Sequence, residues 1–183
     1  MSLAAGFADR PVEAARAFRV AMRAMARPGT IHEIDGPSVP GLPPAAAVLL
    51  LVLADHATPV YLAGRAAAAR DWLTFHTGAP AGSKGAAFFA AGSWADLAPL
   101  DDYAIGTPEH PDRSATLIVE TARLDADGPR LTGPGIETAA RLSVPDAERL
   151  RRNADLYPQG VDFFLTCGPR LAALPRSTRI GDA

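Results

Sequence analysis

From Ala45 to Ala54 the chain runs Ala-Ala-Ala-Val-Leu-Leu-Leu-Val-Leu-Ala, with no polar residue in the stretch. A helix that is apolar on every side has to be enclosed, so this run predicts a helix in the middle of a packed layer, opened by Pro43 or Pro44 and ended by Asp55-His56. It is too short to cross a bilayer, which takes about 20 residues. A second helical pattern comes earlier. Asp9 is placed to cap a helix that opens at Pro11 with Glu13 in its first turn and stops at Pro28-Gly29. Ala14, Phe18, Ala21, Met22 and Met25 fall on one side of it, and Arg16, Arg19, Arg23 and Arg27 spread over the rest. Arg19 and Arg23 have no acid beside them. They predict a solvated face, with a phosphate or a partner's carboxylate as the functional alternative.

Further helices are predicted over 66–75 and, capped by Ser143 and opening at Pro145 with Asp146 and Glu148 in its first turn, to about Leu156. The first closes on His76-Thr77-Gly78-Ala79-Pro80, with Gly78 placed to take the left-handed conformation behind the last turn. His76 sits where a helix C-terminus favours a cation, a sufficient structural reason for a histidine there. Strand patterns cover 30–34, 60–63, 86–91, 116–121, 161–167 and 171–174, and Ser93 is placed to cap a short turn through Leu97. Strands and helices alternate, so the fold class is α/β, with helices on both faces of a largely buried sheet. The late strands are joined by short turns, which makes some pairs antiparallel and the sheet mixed.

The sharpest punctuation is Leu131-Thr132-Gly133-Pro134-Gly135-Ile136. Gly133 and Gly135 leave the backbone free on either side of Pro134, which is held near φ −65°. The stretch reads as a tight turn, with a strand-like run before it and a helix-like run after it. An anion at free N–H groups is the sharper reading, weakened by the donor that Pro134 lacks.

Composition narrows the picture. The 183 residues fit one domain, 1–183, with 48% hydrophobic and 21% charged residues. A net charge of −2 gives no reason to expect a nucleic acid as partner. Cys167 is alone, which suits a reducing compartment, and Met1 to Phe7 lacks the pattern of a signal peptide. A soluble, cytoplasmic protein is expected, with no membrane contact.

Candidate chemistry is sparse. Gly82-Ser83-Lys84-Gly85 has serine before lysine, the wrong order for a phosphate loop. His110 and Asp112 are two potential metal ligands, which is not a site, and His32-Glu33 has no second histidine at metalloprotease spacing. There is no G-x-S-x-G, C-x-x-C or G-x-G-x-x-G. Arg176 and Thr178 either hold a phosphate or belong to an exposed chain end. Arg19, His76, Thr77, Arg176 and Thr178 are therefore candidate ligand or partner contacts. No catalytic residue and no metal ligand is assigned.

Taken together, these stretches resemble a known family. Phe18-Arg19 with Ala24-Met25-Ala26-Arg27-Pro28-Gly29 is similar to the opening motif of the PhnH subunit of phosphonate carbon–phosphorus lyase. Leu53-Ala54-Asp55 with Thr58-Pro59-Val60, Phe75-His76-Thr77-Gly78-Ala79-Pro80 and Gly106-Thr107-Pro108-Glu109 continue the resemblance. So do Ser114-Ala115-Thr116-Leu117-Ile118, the Leu131 to Ile136 turn, Pro158-Gln159-Gly160-Val161-Asp162 and Leu174-Pro175-Arg176-Ser177-Thr178. The order and spacing of these blocks carry the resemblance, which spans essentially the whole chain.

The resemblance implies a three-layer α/β/α sandwich like the large domain of pyridoxal-phosphate-dependent transferases, without the cofactor. It also implies a homodimer and a place in a complex with the PhnG, PhnI and PhnJ subunits. That complex transfers a phosphonate onto the ribose of ATP with release of adenine, and later cleaves the carbon–phosphorus bond on an iron–sulfur subunit. One cysteine cannot hold such a cluster, and Lys84 is the lone lysine available for a Schiff base. A structural or assembly subunit is the expected role. A stand-alone transferase or phosphate-binding domain, with Arg19, His76 and Arg176 gathered around a phosphate, is the alternative.

Overall fold

A computed structural model describes residues 4–182. In chain order the elements are α1 (Arg10–Ala26), β1 (His32–Glu33), α2 (Pro44–Leu53), β2 (Val60–Leu62), α3 (Arg70–Thr77), β3 (Phe89–Ser93), α4 (Trp94–Leu97), β4 (Thr116–Glu120), β5 (Arg130–Thr132), β6 (Ala140–Arg141), α5 (Ala147–Asp155), β7 (Asp162–Cys167), β8 (Arg170–Leu174) and β9 (Arg179–Ile180). No helix among the described residues is long and apolar enough to cross a membrane.

The main sheet has six strands in the order β1-β8-β7-β4-β3-β2. β2, β3, β4 and β7 are parallel, β8 turns back antiparallel to β7, and β1 is antiparallel to β8. The mixed sheet expected from the short late turns is therefore present. Side chains alternate across it. Ile118 and Phe164 face one core, and Leu117, Val119, Phe163 and Leu165 face another.

The first core is built around α2. Pro44 opens this helix, as the sequence predicts, and Ala45 to Leu50 are all buried. α1 packs on α2 through Ala17, Ala21 and Ala24. This corrects the expected inward face of α1. Phe18 and Met22 remain 45% and 57% exposed, because the small alanines, not the larger side chains, allow close approach to the enclosed helix. The buried side is rotated by roughly a quarter turn from the predicted one. Asp9 makes no side-chain cap either; its N–H donates to the Glu13 carboxylate at 3.0 Å instead. The helix expected over 66–75 divides into a 3₁₀ segment, Gly64–Ala69, and α3, and Gly78 ends it at φ +74° as predicted.

The opposite face of the sheet carries α4, α5 and a second sheet of three short strands, β6-β5-β9. Ser93 caps α4, accepting from the Asp96 N–H at 3.2 Å. The helix expected after the Leu131 to Ile136 turn is present as α5, with β6 between the turn and the helix. β5, β6 and β9 fall in none of the predicted strand runs, unlike β1 and β2, which are as short but lie within the runs 30–34 and 60–63. Asp146, not Ser143, caps α5, accepting from the Arg149 N–H at 3.0 Å, while the Ser143 hydroxyl accepts from the Asp125 N–H. Asn153 ties α5 to the start of β7. Its amide donates to the Val161 carbonyl at 2.9 Å and accepts from the Val161 N–H at 2.8 Å.

The glycine turn lies between this small sheet and the end of α1. Gly133 and Gly135 have φ of +133° and +81°, the positive region that the turn reading requires. A Cβ on Gly135 would overlap the Ala26 carbonyl oxygen, and one on Gly133 would lie 2.9 Å from the Ser177 carbonyl oxygen. Gly133→Val and Gly135→Val are each expected to cost about 1–3 kcal/mol in urea unfolding, with Gly135→Val the worse because its Cβ would come closer to a backbone oxygen. Wild-type unfolding midpoints in both variants would show that the turn is not constrained.

Candidate functional site

The parallel strands β2, β3 and β4 end at Leu62, Ser93 and Glu120, and in open α/β sheets ligands bind outside such carboxyl ends. A cleft of about 560 Å³ lies there, between Ser93-Trp94-Ala95, the Glu120 to Arg123 segment, Asp127-Gly128-Pro129 and Ser143-Val144-Pro145. Trp94 supplies its aromatic wall, tilted on Phe163 with ring centroids 6.1 Å apart. Its polar groups are paired with one another. Arg65 grips Glu120 with two N–H groups, Arg123 lies 3.1 Å from Asp125 and 3.5 Å from Asp127, and Thr121 donates to the Thr166 carbonyl. The Ser93 hydroxyl donates to the Asp96 carboxylate at 2.7 Å, but no imidazole stands beside that pair to take its proton. This cleft can receive a hydroxylated or charged group through exchange of its ion pairs. It holds no nucleophile and base arranged for covalent chemistry.

A second cleft, of about 520 Å³, lies between the 99–105 segment and α5. Leu100, Ile105, Leu156 and Val161 make it apolar, and Arg149 and Arg152 at its edge are paired with Asp146 and Glu148 on their own helix. Tyr103 lines it. The Tyr103 hydroxyl is buried without a hydrogen-bond partner among the described residues, and burial, then the neighbouring Tyr61 and Asp102, push its pKa upward. The phenol therefore stays protonated at neutral pH.

The residues present do not suit pyridoxal phosphate. Lys84 precedes β3, at the amino edge of the sheet, opposite the cleft at the carboxyl ends. Its Nζ donates to the Ala98 carbonyl at 2.5 Å, lies 3.6 Å from Asp102 and sits 5.7 Å above the Tyr103 ring. Among the described residues no three His, Cys, Asp or Glu side chains gather as metal ligands, so His110 and Asp112 gain no third member.

The residues singled out from the sequence lie on three different parts of the chain: α1, the end of α3 and the segment after β8. Arg19 points outward from the middle of α1. The His76 ring, in the last turn of α3, lies 3.1 Å from the Ala4 carbonyl and stacks near Trp72 and Phe75. Thr77 closes the same helix, donating to Leu73 and accepting from the Ala79 N–H. Arg176 binds Asp162 through its backbone N–H at 2.8 Å and its Nε at 3.1 Å, and donates to the Pro111 carbonyl. Thr178 is 3% exposed, with its hydroxyl unpartnered. No hydrogen bond or ion pair among the described residues joins Arg19, His76 and Arg176.

The exposed chain end expected over 175–178 is corrected. Asp162 gathers Arg176 inward, and β9 then pairs with β5. Sequence reasoning passed over Asn153, Asp162 and the Arg65–Glu120 pair. Asp162, a carboxylate directly before an apolar run, was the one available signal; Arg65 and Glu120 are too far apart in sequence to suggest each other.

Comparison with known proteins places this architecture. The family model described as "Bacterial phosphonate metabolism protein (PhnH)" matches residues 5–181. A protein of Rhizobium meliloti (strain 1021), named alpha-D-ribose 1-methylphosphonate 5-triphosphate synthase subunit PhnH, is 37% identical over 188 aligned positions, which cover 95% of this chain and 93% of the relative. A protein of Stutzerimonas stutzeri, named as a candidate C-P lyase subunit protein, HtxG, is 38% identical over 84 positions, 42% of each chain. The match runs nearly from end to end of the described structure, and this chain belongs to the PhnH family of bacterial phosphonate metabolism proteins.

Proposed function

We propose that this chain is a subunit of a carbon–phosphorus lyase core complex in phosphonate catabolism, and that it supports, without performing alone, the transfer of a phosphonate onto ATP ribose with release of adenine. The observation that carries the reading is the 95% coverage by a relative that is itself named as a subunit of a ribose 1-methylphosphonate 5-triphosphate synthase. Expelling adenine needs activation of the leaving group and a positioned phosphonate nucleophile. The polar groups of the carboxyl-edge cleft are committed to each other, and the side chains of Arg176 and Lys84 are held by internal contacts, which favours a supporting role. A subunit can raise a partner's rate by holding its loops in place, where a displacement of about 1 Å can cost a hundredfold.

In this reading the chain is one cytoplasmic domain over 1–183, a three-layer sandwich related to the large domain of pyridoxal-phosphate-dependent transferases. It forms a homodimer by itself and assembles with PhnG, PhnI and PhnJ. The absence of a hydrogen bond or ion pair among Arg19, His76 and Arg176 within the described residues favours this reading over a stand-alone transferase.

The isolated chain, given ATP and methylphosphonate, is expected to release no adenine above background, and, when added to PhnG, PhnI and PhnJ, to raise release well above that of the three without it. Adenine release by the chain alone would overturn the assignment. Arg176→Ala leaves Asp162 part-buried without its counter-ion and is expected to cost about 3 kcal/mol in urea unfolding, with loss of turnover following loss of assembled complex. A variant that keeps its stability and its place in the complex but loses all turnover would make Arg176 a direct participant.

A further inference from the structure

With Ala17, Ala21 and Ala24 turned inward, the outward half of α1 divides into two stripes. At about 100° per residue, Arg16, Arg19 and Arg23 form a ridge, with Arg27 directly behind the helix end, and Phe18 and Met22, one turn apart, form an apolar flank beside it. Elsewhere Arg65, Arg123, Arg149, Arg151, Arg152, Arg170 and Arg176 have carboxylate partners within 4.0 Å, and Arg10, Arg70 and Arg141 donate to backbone carbonyls, while Arg113, Arg130 and Arg179 have no carboxylate partner among the described residues. Arg16, Arg19, Arg23 and Arg27 have none either among the described residues. Two of them, Arg23 and Arg27, stand near His32, whose pKa is lowered first by burial and then by these two charges.

We propose that this face of α1 is a docking surface for another subunit of the complex, one presenting carboxylates to the arginine ridge and an apolar side chain to Phe18 and Met22. The inference rests on the subunit reading above and deepens it. Arginine binds carboxylate with two parallel N–H bonds, and Arg, Phe and Met are enriched where proteins meet. A second copy is a poor occupant. Docked helix to helix about a two-fold axis, it would set the ridge against itself, and like charges across an interface disfavour it. A homodimer therefore uses a different face. A lipid surface is also a poor occupant, because a helix lying in a membrane inserts its main apolar side, and that side of α1 is buried against α2.

The test compares the wild-type chain with Arg19→Glu/Arg23→Glu, with the milder Arg19→Gln/Arg23→Gln, and with the exposed control Arg113→Glu. Each is co-expressed with PhnG, PhnI and PhnJ, and complex is recovered by size exclusion at low and high salt. The charge reversal is expected to lower recovery about tenfold at low salt, the neutral pair less so, and the control not at all, with thermal unfolding unchanged. Wild-type association should weaken as salt rises. Co-elution of Arg19→Glu/Arg23→Glu at the wild-type level overturns the docking face and leaves the subunit reading intact. Failure of the wild-type chain to associate with any of the three overturns both. If the reversal unfolds the chain, undiminished recovery of the neutral pair overturns the inference. Two results with the chain alone would also overturn it: a wild-type dimer that the reversal converts to monomer, or wild-type binding to phosphatidylglycerol vesicles that the reversal abolishes.

Discussion

The enclosure of α2 is the constraint on which the rest of the molecule depends. A ten-residue helix with no polar side is stable in water only when most of it is covered; Ala45 to Leu50 are buried and Leu51 to Leu53 half-buried, and full burial of a leucine such as Leu49 or Leu50 is worth about 1.5–3 kcal/mol. Caps and turns contribute about 1 kcal/mol each and cannot compete with that. The sheet covers α2 from one side, and α1 and α3 cover it from others. Because α2 begins with three alanines, its neighbours approach closely, and α1 meets it through alanines of its own. Phe18 and Met22 are left outside as a result. The exposed apolar flank of α1 follows from how α2 is enclosed.

The other face of the sheet is held differently. It has a smaller apolar core and relies on a few specific polar contacts at the ends of elements. Asn153 bridges α5 to Val161, Asp162 draws Arg176 inward, and the glycine turn fits against the carbonyls of Ala26 and Ser177. Each contact joins segments distant in sequence, and together they fix the path of the chain from β4 to β9. This division suits a protein with one rigid layer and one layer of loops and short strands around two clefts.

Charge is distributed with the same asymmetry. The arginines lining the two clefts, Arg123, Arg149 and Arg152, are paired with nearby carboxylates. Those of the α1 ridge are not. In a chain of net charge −2 this local excess is not a bulk property. It is a directional one, of the kind that orients encounter with an acidic partner.

Much of the fold was legible in the residues. The apolar run from Ala45 to Ala54, Pro11 and Pro44 in the first turns of α1 and α2, Gly78 behind α3, Ser93 before α4 and the positive φ of Gly133 and Gly135 are consequences of local sterics and hydrophobicity, which short stretches carry by themselves. So was the family, whose motifs lie in a fixed order along the chain. The inward face of α1, the small sheet β6-β5-β9, the capture of Arg176 by Asp162 and the placement of Arg19, His76 and Arg176 were decided in three dimensions. The short strands β5, β6 and β9 lie in none of the runs with a period to read, and several faces of a helix can be apolar enough to bury. Which face goes inward depends on the shape of what it meets, and which charges remain unpaired depends on which distant carboxylates the fold brings near.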